Sequence, residues 1–559
     1  MSGVEQGSSA MRLGRTAPLA ATPRPLGLSA RPAAVGVASL ALAPWPSALP
    51  NWSLAELLAG FAVLPFDSGP RVTGLTLDSR RALTGALFLA CRGRTSHGLR
   101  HAEEAAERGC VAIAAEPDAE WGEAELGRLA SELALPVIPV ANLGKRAAEI
   151  AARFFWHPSE ALDVLGVTGT AGKTCVTHYL AQALAEEGPR PEARAGAWLP
   201  SGSSTLGAQP AALDAVGVHQ SLAALRARGA RAVALEVSSH ALDQRRVGAV
   251  RFSHAIFTNL GRRHLDYHGD VAAYAAAKRR LFRVPRLRWA VLNADDPASA
   301  DMAAAARPGV RIACFGQGAS RLIERADLWV RASAVRPGSA GLAVEVETSA
   351  GAGSFTTGLI GRCQVSNLLA VLAVLLSRDE PLAVALERVG AVRSLPGHME
   401  AFGGGGRPLV VVDAARTPAA LEQALTELRA HCGGRVAVVF GCRGGEHGHG
   451  PSFAERPAMG AVAERLADRV IITEDNPCHE DGRRIAAQIL AGMARPEAVL
   501  VERQRALAIR AALARAGRDD AVLVAGKGSE TMQDLGEFKV QFSDRAQVVQ
   551  ALNEWEGLK

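Results

Sequence analysis

The stretch Val164-Leu165-Gly166-Val167-Thr168-Gly169-Thr170-Ala171-Gly172-Lys173-Thr174 decides the reading of this chain. It reads as a buried strand running into a glycine turn, then Gly-Lys-Thr, then a helix over 176–184. That order builds a nucleoside triphosphate site. Successive backbone N–H groups cradle phosphate oxygens, and the helix N-terminus adds favourable dipole charge. Gly169, Thr170 and Gly172 form the cradle, Lys173 reaches the terminal phosphates, and the Thr174 hydroxyl binds Mg²⁺. The spacing is Gly-x-x-Gly-Lys-Thr, shorter than the general Gly-x4-Gly-Lys-Thr pattern. The flanking strand and helix carry the assignment.

The chain has 559 residues, too many for one core, and three or four domains are expected. With 48% hydrophobic and 21% charged residues, the composition is that of a globular protein. A net charge of +6 is spread over the whole length, with no basic run that argues for nucleic acid. No apolar run approaches the ~18 residues of a membrane span. The eight cysteines include no Cys-x-x-Cys pair. They read as free thiols in a reducing compartment, without zinc.

Residues 1–50 are rich in Ala, Pro, Ser and Leu and carry Arg12, Arg15, Arg24 and Arg31 against one acid, Glu5. They read as a disordered extension or an organelle-targeting segment. A first α/β region spans 51–154, with Asn51 or Ser53 capping a helix over 54–60. The region 155–395 alternates apolar strands, at 164–167, 232–237, 254–258 and 289–292, with helical stretches. This pattern predicts a mainly parallel sheet. Short strands are expected near 344–359, and a helix from Ser366. A third α/β unit, 396–559, has strands at 409–412, 436–440, 470–473 and 522–525. Each ends in a polar or glycine-rich loop, and ligands bind beyond such strand ends.

Two further strand ends carry chemistry. Glu236-Val237-Ser238-Ser239-His240-Ala241-Leu242-Asp243-Gln244-Arg245-Arg246 follows one, and Asn259-Leu260-Gly261-Arg262-Arg263-His264-Leu265-Asp266-Tyr267-His268-Gly269 follows the other. Glu236 offers Mg²⁺ a hard oxygen and His264 a nitrogen. A helix-capping acid and a loop histidine are the plainer alternatives. Tyr274 and Lys278 follow on a helix.

Together with Leu77-Asp78-Ser79-Arg80, Leu292-Asn293-Ala294-Asp295-Asp296, Val365-Ser366-Asn367-Leu368-Leu369, Asp475-Asn476-Pro477 and Ala525-Gly526-Lys527-Gly528, these runs make residues 70–550 resemble the Mur ligase family. The closest match is the type that adds the third amino acid to UDP-N-acetylmuramoyl-L-Ala-D-Glu. The resemblance implies a three-domain α/β fold: a small UDP-binding domain, a central P-loop ATPase domain and a Rossmann-like acceptor-binding domain. It implies ATP and Mg²⁺, with a UDP-muramoyl dipeptide and an amino acid, meso-diaminopimelate being the candidate, as substrates of a cytoplasmic monomer. The family phosphorylates a carboxylate and lets an amine displace the phosphate. Lys173, Lys278 and His264 would be catalytic, with Thr174, Glu236, His264 and a carbamylated Lys278 at the metal. A solvated helix lysine is the plainer reading of Lys278. Asn367 and Asp413 would join the nucleotide site. Ser79 would contact uridine, and Ser238, Gln244 and Arg246 the muramoyl group. Asp475, Asn476, Gly526 and Glu530 would bind the acceptor.

Several positions depart from the family pattern. An Asn of the phosphate loop is Ala171, and a Thr-Thr-Pro is Ala211-Ala212-Leu213. The Asp before the metal histidine is Arg263, a charge reversal. An Asn before Val365 is Gln364, an Arg after Pro-Gly is His398, and Asp-Tyr-Ala-His is Asp413-Ala414-Ala415-Arg416. The Arg of Asp-Asn-Pro-Arg, which forks onto an acceptor carboxylate, is Cys478, and a His of the last loop is Ser529. After Gly441-Cys442 comes a glycine-rich loop with Glu446, His447 and His449, read as flexible insertion before metal site. The alternatives to a ligase are a catalytically impaired scaffold or binding protein, with an organellar setting, and a decaying duplicate.

Overall fold

A computed structural model of the chain describes residues 50–93, 96–185, 196–199, 202–203, 211–445 and 455–557. The readings placed on residues 1–49, on Glu446, His447 and His449, and on the side chains of Ala211 and Ala212 lie outside the described residues.

Ser53 caps the first helix, Leu54–Leu58, through a capping box with Glu56. Four parallel strands follow: β1 (Gly74–Thr76), β2 (Ala86–Ala90), β3 (Ala112–Ala115) and β4 (Val137–Pro139), paired in that order.

The central sheet has nine strands. They are β5 (Asp163–Thr168), β6 (Gly196–Leu199), β7 (Ala232–Glu236), β8 (Phe252–Phe257), β9 (Trp289–Asn293), β10 (Arg311–Gly316), β11 (Leu328–Gly338), β12 (Gly341–Thr348) and β13 (Gly351–Thr357). Their order is β13-β12-β11-β10-β9-β8-β5-β7-β6, with only the last hairpin strands, β11 to β13, paired antiparallel. Leu165 and Val167 face one core and Val164 another on the opposite face. Burial on both faces explains why this strand reads as continuously apolar. The order reverses direction at β5, so its carboxyl end opens between β7 and β8. Such a switch point forms a ligand crevice.

The expectation of short strands near 344–359 is corrected. Three long strands begin at Leu328, and their outer face is charged: Arg331 pairs with Glu347 at 2.5 Å and Arg336 with Glu345 at 2.6 Å. Charge pairs and the Gly-Ala-Gly of β13 hide the strand pattern. The helix Cys363–Ser377 is buried almost all round and packs under the central sheet. Among the described residues no helix is long and apolar enough to cross a membrane.

The last sheet contains β14 (Glu400–Gly403), β15 (Leu409–Asp413), β16 (Val436–Phe440), β17 (Arg469–Ile472), β18 (Leu500–Val501) and β19 (Ala521–Ala525), ordered β14-β15-β19-β16-β17-β18. All but β14 run parallel, so the loops after β15, β16, β17 and β19 share one edge. A fully buried pair, Arg505 with Asp544 at 2.7 Å, ties the closing helix Asp544–Asn553 beneath that edge.

Candidate active site

The phosphate loop leaves β5 with Gly169 at φ 151° and Gly172 at φ 81°, and the helix Lys173–Ala183 follows at once. Gly172 must be glycine on two counts. Its φ is left-handed, and a Cβ there would sit 2.5 Å from the Asn367 Oδ1. That places Asn367 at the loop, beside a cradle with no room for a side chain.

The loop is held from β8. The Ala171 N–H donates to Asn259 Oδ1 at 2.9 Å, and the Ala171 carbonyl accepts from Asn259 Nδ2 at 3.1 Å and from the Thr258 hydroxyl at 2.6 Å. The Gly261 N–H donates to Thr170 Oγ1 at 2.7 Å. Asn259 and Thr258 escaped the sequence reading, although Asn259 lies inside a quoted run. Register explains their position: Phe257, the last residue of β8, pairs with Thr168, so the two residues that follow it lie against the loop.

Strand β7 delivers the acid. Glu236 pairs in register with Val167, and the Thr174 hydroxyl donates to Glu236 Oε2 at 2.9 Å. The Lys173 ammonium lies 4.0 Å from Glu236 Oε1 and donates to the Thr170 carbonyl at 3.1 Å. Burial lowers the Lys173 pKa, Glu236 opposes that, and the charge of Arg263 adds to it. The reversed charge at 263 therefore reaches the phosphate site from an exposed position.

Lys278 is 1% exposed on the helix Val271–Arg279. Its Nζ donates to the Gly169 carbonyl at 2.6 Å and lies 4.3 Å from the centroid of the Tyr274 ring. Burial, and then Lys173, push its pKa down to about 7. A solvated helix lysine is thus ruled out. His264 stands exposed in left-handed conformation, its ring 4.9 Å from that of His240 and 6.2 Å from Tyr274. The capping residue after β7 is Ser238, whose hydroxyl accepts from the Ala241 N–H at 3.1 Å, so Glu236 is no helix cap.

The remaining positions expected to bind substrate fall in two places. Arg246 Nε donates to Gln244 Oε1 at 2.8 Å, and Gln244 Nε2 donates to the Tyr267 hydroxyl at 3.1 Å, which joins them to the His264 loop. Ser79 lies apart, in the small first sheet, donating to Glu104 Oε2 at 2.6 Å.

Asp413, at the end of β15, accepts from the Met399 N–H at 2.8 Å, and burial raises its pKa. Its charge bears on Cys175 of the phosphate-loop helix. Further along the same edge, Lys527 Nζ donates to Asn476 Oδ1 at 2.9 Å, Glu530 Oε2 at 3.0 Å and the Met532 carbonyl at 2.8 Å. Asn476 Nδ2 donates to Glu530 Oε2 at 2.8 Å, and Arg416 pairs with Glu530 Oε1. Arg416 Nε also donates to the Gly526 carbonyl at 2.8 Å. Burial alone would raise Glu530, but Asn476, Lys527 and Arg416 outweigh it and hold the carboxyl below its usual range. Asp475 is 1% exposed, and burial raises its pKa. Of these residues Lys527 and Arg416 were not foreseen as site groups.

The donor set suits Mg²⁺. A hydroxyl and a carboxylate, Thr174 and Glu236, are hard oxygens, and this ion takes few protein ligands besides phosphate and water. Among the described residues no three His, Cys, Asp or Glu side chains gather as a closed metal site. All eight cysteines are free.

The chain is similar to known proteins over most of its length. The Mur ligase family catalytic domain matches residues 71–155, the Mur ligase middle domain 167–375 and the Mur ligase glutamate ligase domain 397–528. The UDP-N-acetylmuramoyl-L-alanyl-D-glutamate–2,6-diaminopimelate ligase of Alkalilimnicola ehrlichii is 46% identical over 490 residues, which is 87% of this chain and 96% of that protein. The enzyme of the same description from Coxiella burnetii is 41% identical, covering 86% and 96%. A solved structure of a ligase of that description aligns with a TM-score of 0.67 and 27% identity over 91% of this chain and all of that one. In sequence and fold, the chain belongs to the Mur ligase family.

Proposed function

We propose that this protein is an ATP-dependent ligase that joins meso-diaminopimelate to UDP-N-acetylmuramoyl-L-Ala-D-Glu in peptidoglycan synthesis. The observation that carries it is the contact of Thr174 and Lys173 with Glu236 across β5 and β7, at the mouth of the phosphate loop. Residues 51–154 would hold the UDP moiety near Ser79, 155–395 the ATP, and 396–559 the acceptor. Bacterial relatives named for this activity support a cytoplasmic setting over an organellar one.

The physical task is to bring a carboxylate to a triphosphate. Lys173 and the phosphate-loop N–H groups gather the negative charge, and Ser238, Gln244 and Arg246 hold the muramoyl dipeptide. Mg²⁺ held by Thr174 and Glu236, with His264 nearby, would neutralise phosphate charge as a Lewis acid. The substrate carboxylate oxygen bonds to the γ-phosphorus, the β,γ-bridging P–O bond breaks, and ADP leaves. The acceptor amine then bonds to the acyl carbon, the C–O bond to phosphate breaks, and the nitrogen loses a proton. Lys278 suits carbamylation, because a buried amine with its pKa pushed down to about 7 is neutral above that pH, and the carbamate puts an anion beside the Lys173 cation.

The substitution at 171 supports activity, since the groups that hold the loop are backbone groups of that residue. Phosphate release from ATP with the UDP-muramoyl dipeptide and a panel of amino acids is the test. Turnover with meso-diaminopimelate is expected. Failure with every acceptor, while nucleotide still binds, would leave a binding protein and overturn the enzyme reading. A single monomer peak in size-exclusion chromatography is expected.

A further inference from the structure

The acceptor end of the site departs most from the family pattern, and charges particular to this chain stand there. The Gly444 N–H donates to the Asn476 carbonyl at 2.8 Å, and a Cβ at Gly444 would run into the Pro477 carbonyl. The loop after β16 therefore lies directly on the loop after β17. Arg456, 1% exposed, locks it from beneath: Nη2 donates to the Arg443 carbonyl at 2.9 Å and Nη1 to Glu480 at 2.7 Å. Arg443 itself is exposed. Its guanidinium hydrogen-bonds the Cys478 side chain and feels the charges of Glu530 and Asp475.

Among the described residues, cations and carboxylates alternate along this edge. Glu530 is already met by Arg416, Lys527 and Asn476. Asp475 is buried with neither carboxylate oxygen hydrogen-bonded. Arg443, Arg416 and Lys527 thus face three carboxylates, Glu530, Asp475 and Asp534, of which Glu530 is fully engaged. A carboxylate that reaches position 478 meets a guanidinium suited to bidentate contact, which an acceptor side chain ending in an amine alone cannot make.

We propose that Arg443, supported by Arg416, binds the side-chain carboxylate of the acceptor amino acid in place of a residue at 478, and so selects a dicarboxylic diamino acid over lysine. This rests on the ligase reading for its substrate class. Arg443 precedes the Gly444 contact and reaches position 478 from the neighbouring strand end, so one guanidinium serves from a different loop.

The test uses the full chain, with calorimetric titration of meso-diaminopimelate and of L-lysine in the presence of ADP, and turnover measured on the same samples. Wild type should bind meso-diaminopimelate at least tenfold more tightly than lysine. R443Q should weaken meso-diaminopimelate binding roughly ten- to hundredfold, the loss of one charged contact, and leave lysine and ADP binding unchanged. Adding C478R to R443Q should restore tight binding. R443Q that melts like wild type and binds meso-diaminopimelate equally well overturns the proposal. Binding that depends on Arg443 without any wild-type turnover keeps this assignment and overturns the ligase reading, whereas turnover indifferent to Arg443 does the reverse. Absence of wild-type binding overturns both.

Discussion

Asn259→Ala should weaken nucleotide binding without touching any group that contacts phosphate. The side chain makes two hydrogen bonds to residue 171, from the N–H at 2.9 Å and to the carbonyl at 3.1 Å. Each is worth about 0.5–1.5 kcal/mol net, and the lower half applies because the bonds face solvent. Thr258 still donates to the Ala171 carbonyl at 2.6 Å, and Gly261 to Thr170 at 2.7 Å, so the loop loosens without collapsing. The loss is about 1–2 kcal/mol and falls on the ordering of the cradle before ligand arrives, which predicts roughly a five- to thirtyfold rise in Kd for ADP. Calorimetric titration of ADP into the full chain measures it. A171N serves as the control: if the backbone of 171 carries the contacts, restoring an amide side chain changes Kd by less than about threefold. N259A with wild-type melting and wild-type ADP affinity would refute the claim that the β8 clamp preshapes the loop.

Gly172→Ala should abolish ADP binding in the same assay, since φ 81° and Asn367 both oppose a Cβ; retained binding would show that the loop rebuilds. For Lys278, a pKa near 7 means the amine is neutral above that pH and protonated below it, and only the neutral amine adds CO₂. A carbamate carbon signal in ¹³C-bicarbonate should therefore be strong at pH 8, weak at pH 6 and missing in K278A; equal signals at both pH values sink the idea. Asp544→Asn strands the buried Arg505 charge and should cost about 3–5 kcal/mol, read as a lower melting temperature, whereas R505M with D544L should recover most of it. Arg263→Asp should weaken ADP binding several-fold at low salt and little at high salt, because an exposed charge acts on phosphate through screened solvent. An effect independent of salt would mean a direct contact.

The fold was legible where one physical signal dominated. Continuous apolar runs gave β5, β7, β8 and β9 to within two residues, because each strand is buried on both faces. Leu328 to Thr357 was not legible in the same way. Its strands bury one face and pair charges on the other, and arginine and glutamate alternate with valine over a stretch that also includes Gly338, Gly341 and Gly351. The helix from Cys363 began three residues before its expected start at Ser366, since the apolar run marks burial and says little about the first turn.

The site was legible as a set of residue types and illegible as a set of neighbours. Read position by position, Ala171, Gln364, Arg416 and Cys478 each looked like a loss. In space, each has a partner from another part of the chain. The backbone of Ala171 bonds to Asn259. Gln364 Oε1 accepts from Tyr179 at 3.0 Å and from Asn367 at 3.0 Å, so the longer amide still anchors Asn367 beside Gly172. Arg416, where an imidazole is usual, meets Glu530 across the strand edge, and Arg443 covers the thiol at 478. These partners lie 88, 185, 114 and 35 residues away along the chain, so no window of sequence could have joined them. A parallel sheet makes the joining inevitable, because every strand delivers its carboxyl end to one edge, where a group lost from one loop can be supplied by the next. Substitutions spread across several loops of one edge therefore do not add as independent losses. They are one electrostatic arrangement, and their effects are expected to couple in double-mutant cycles.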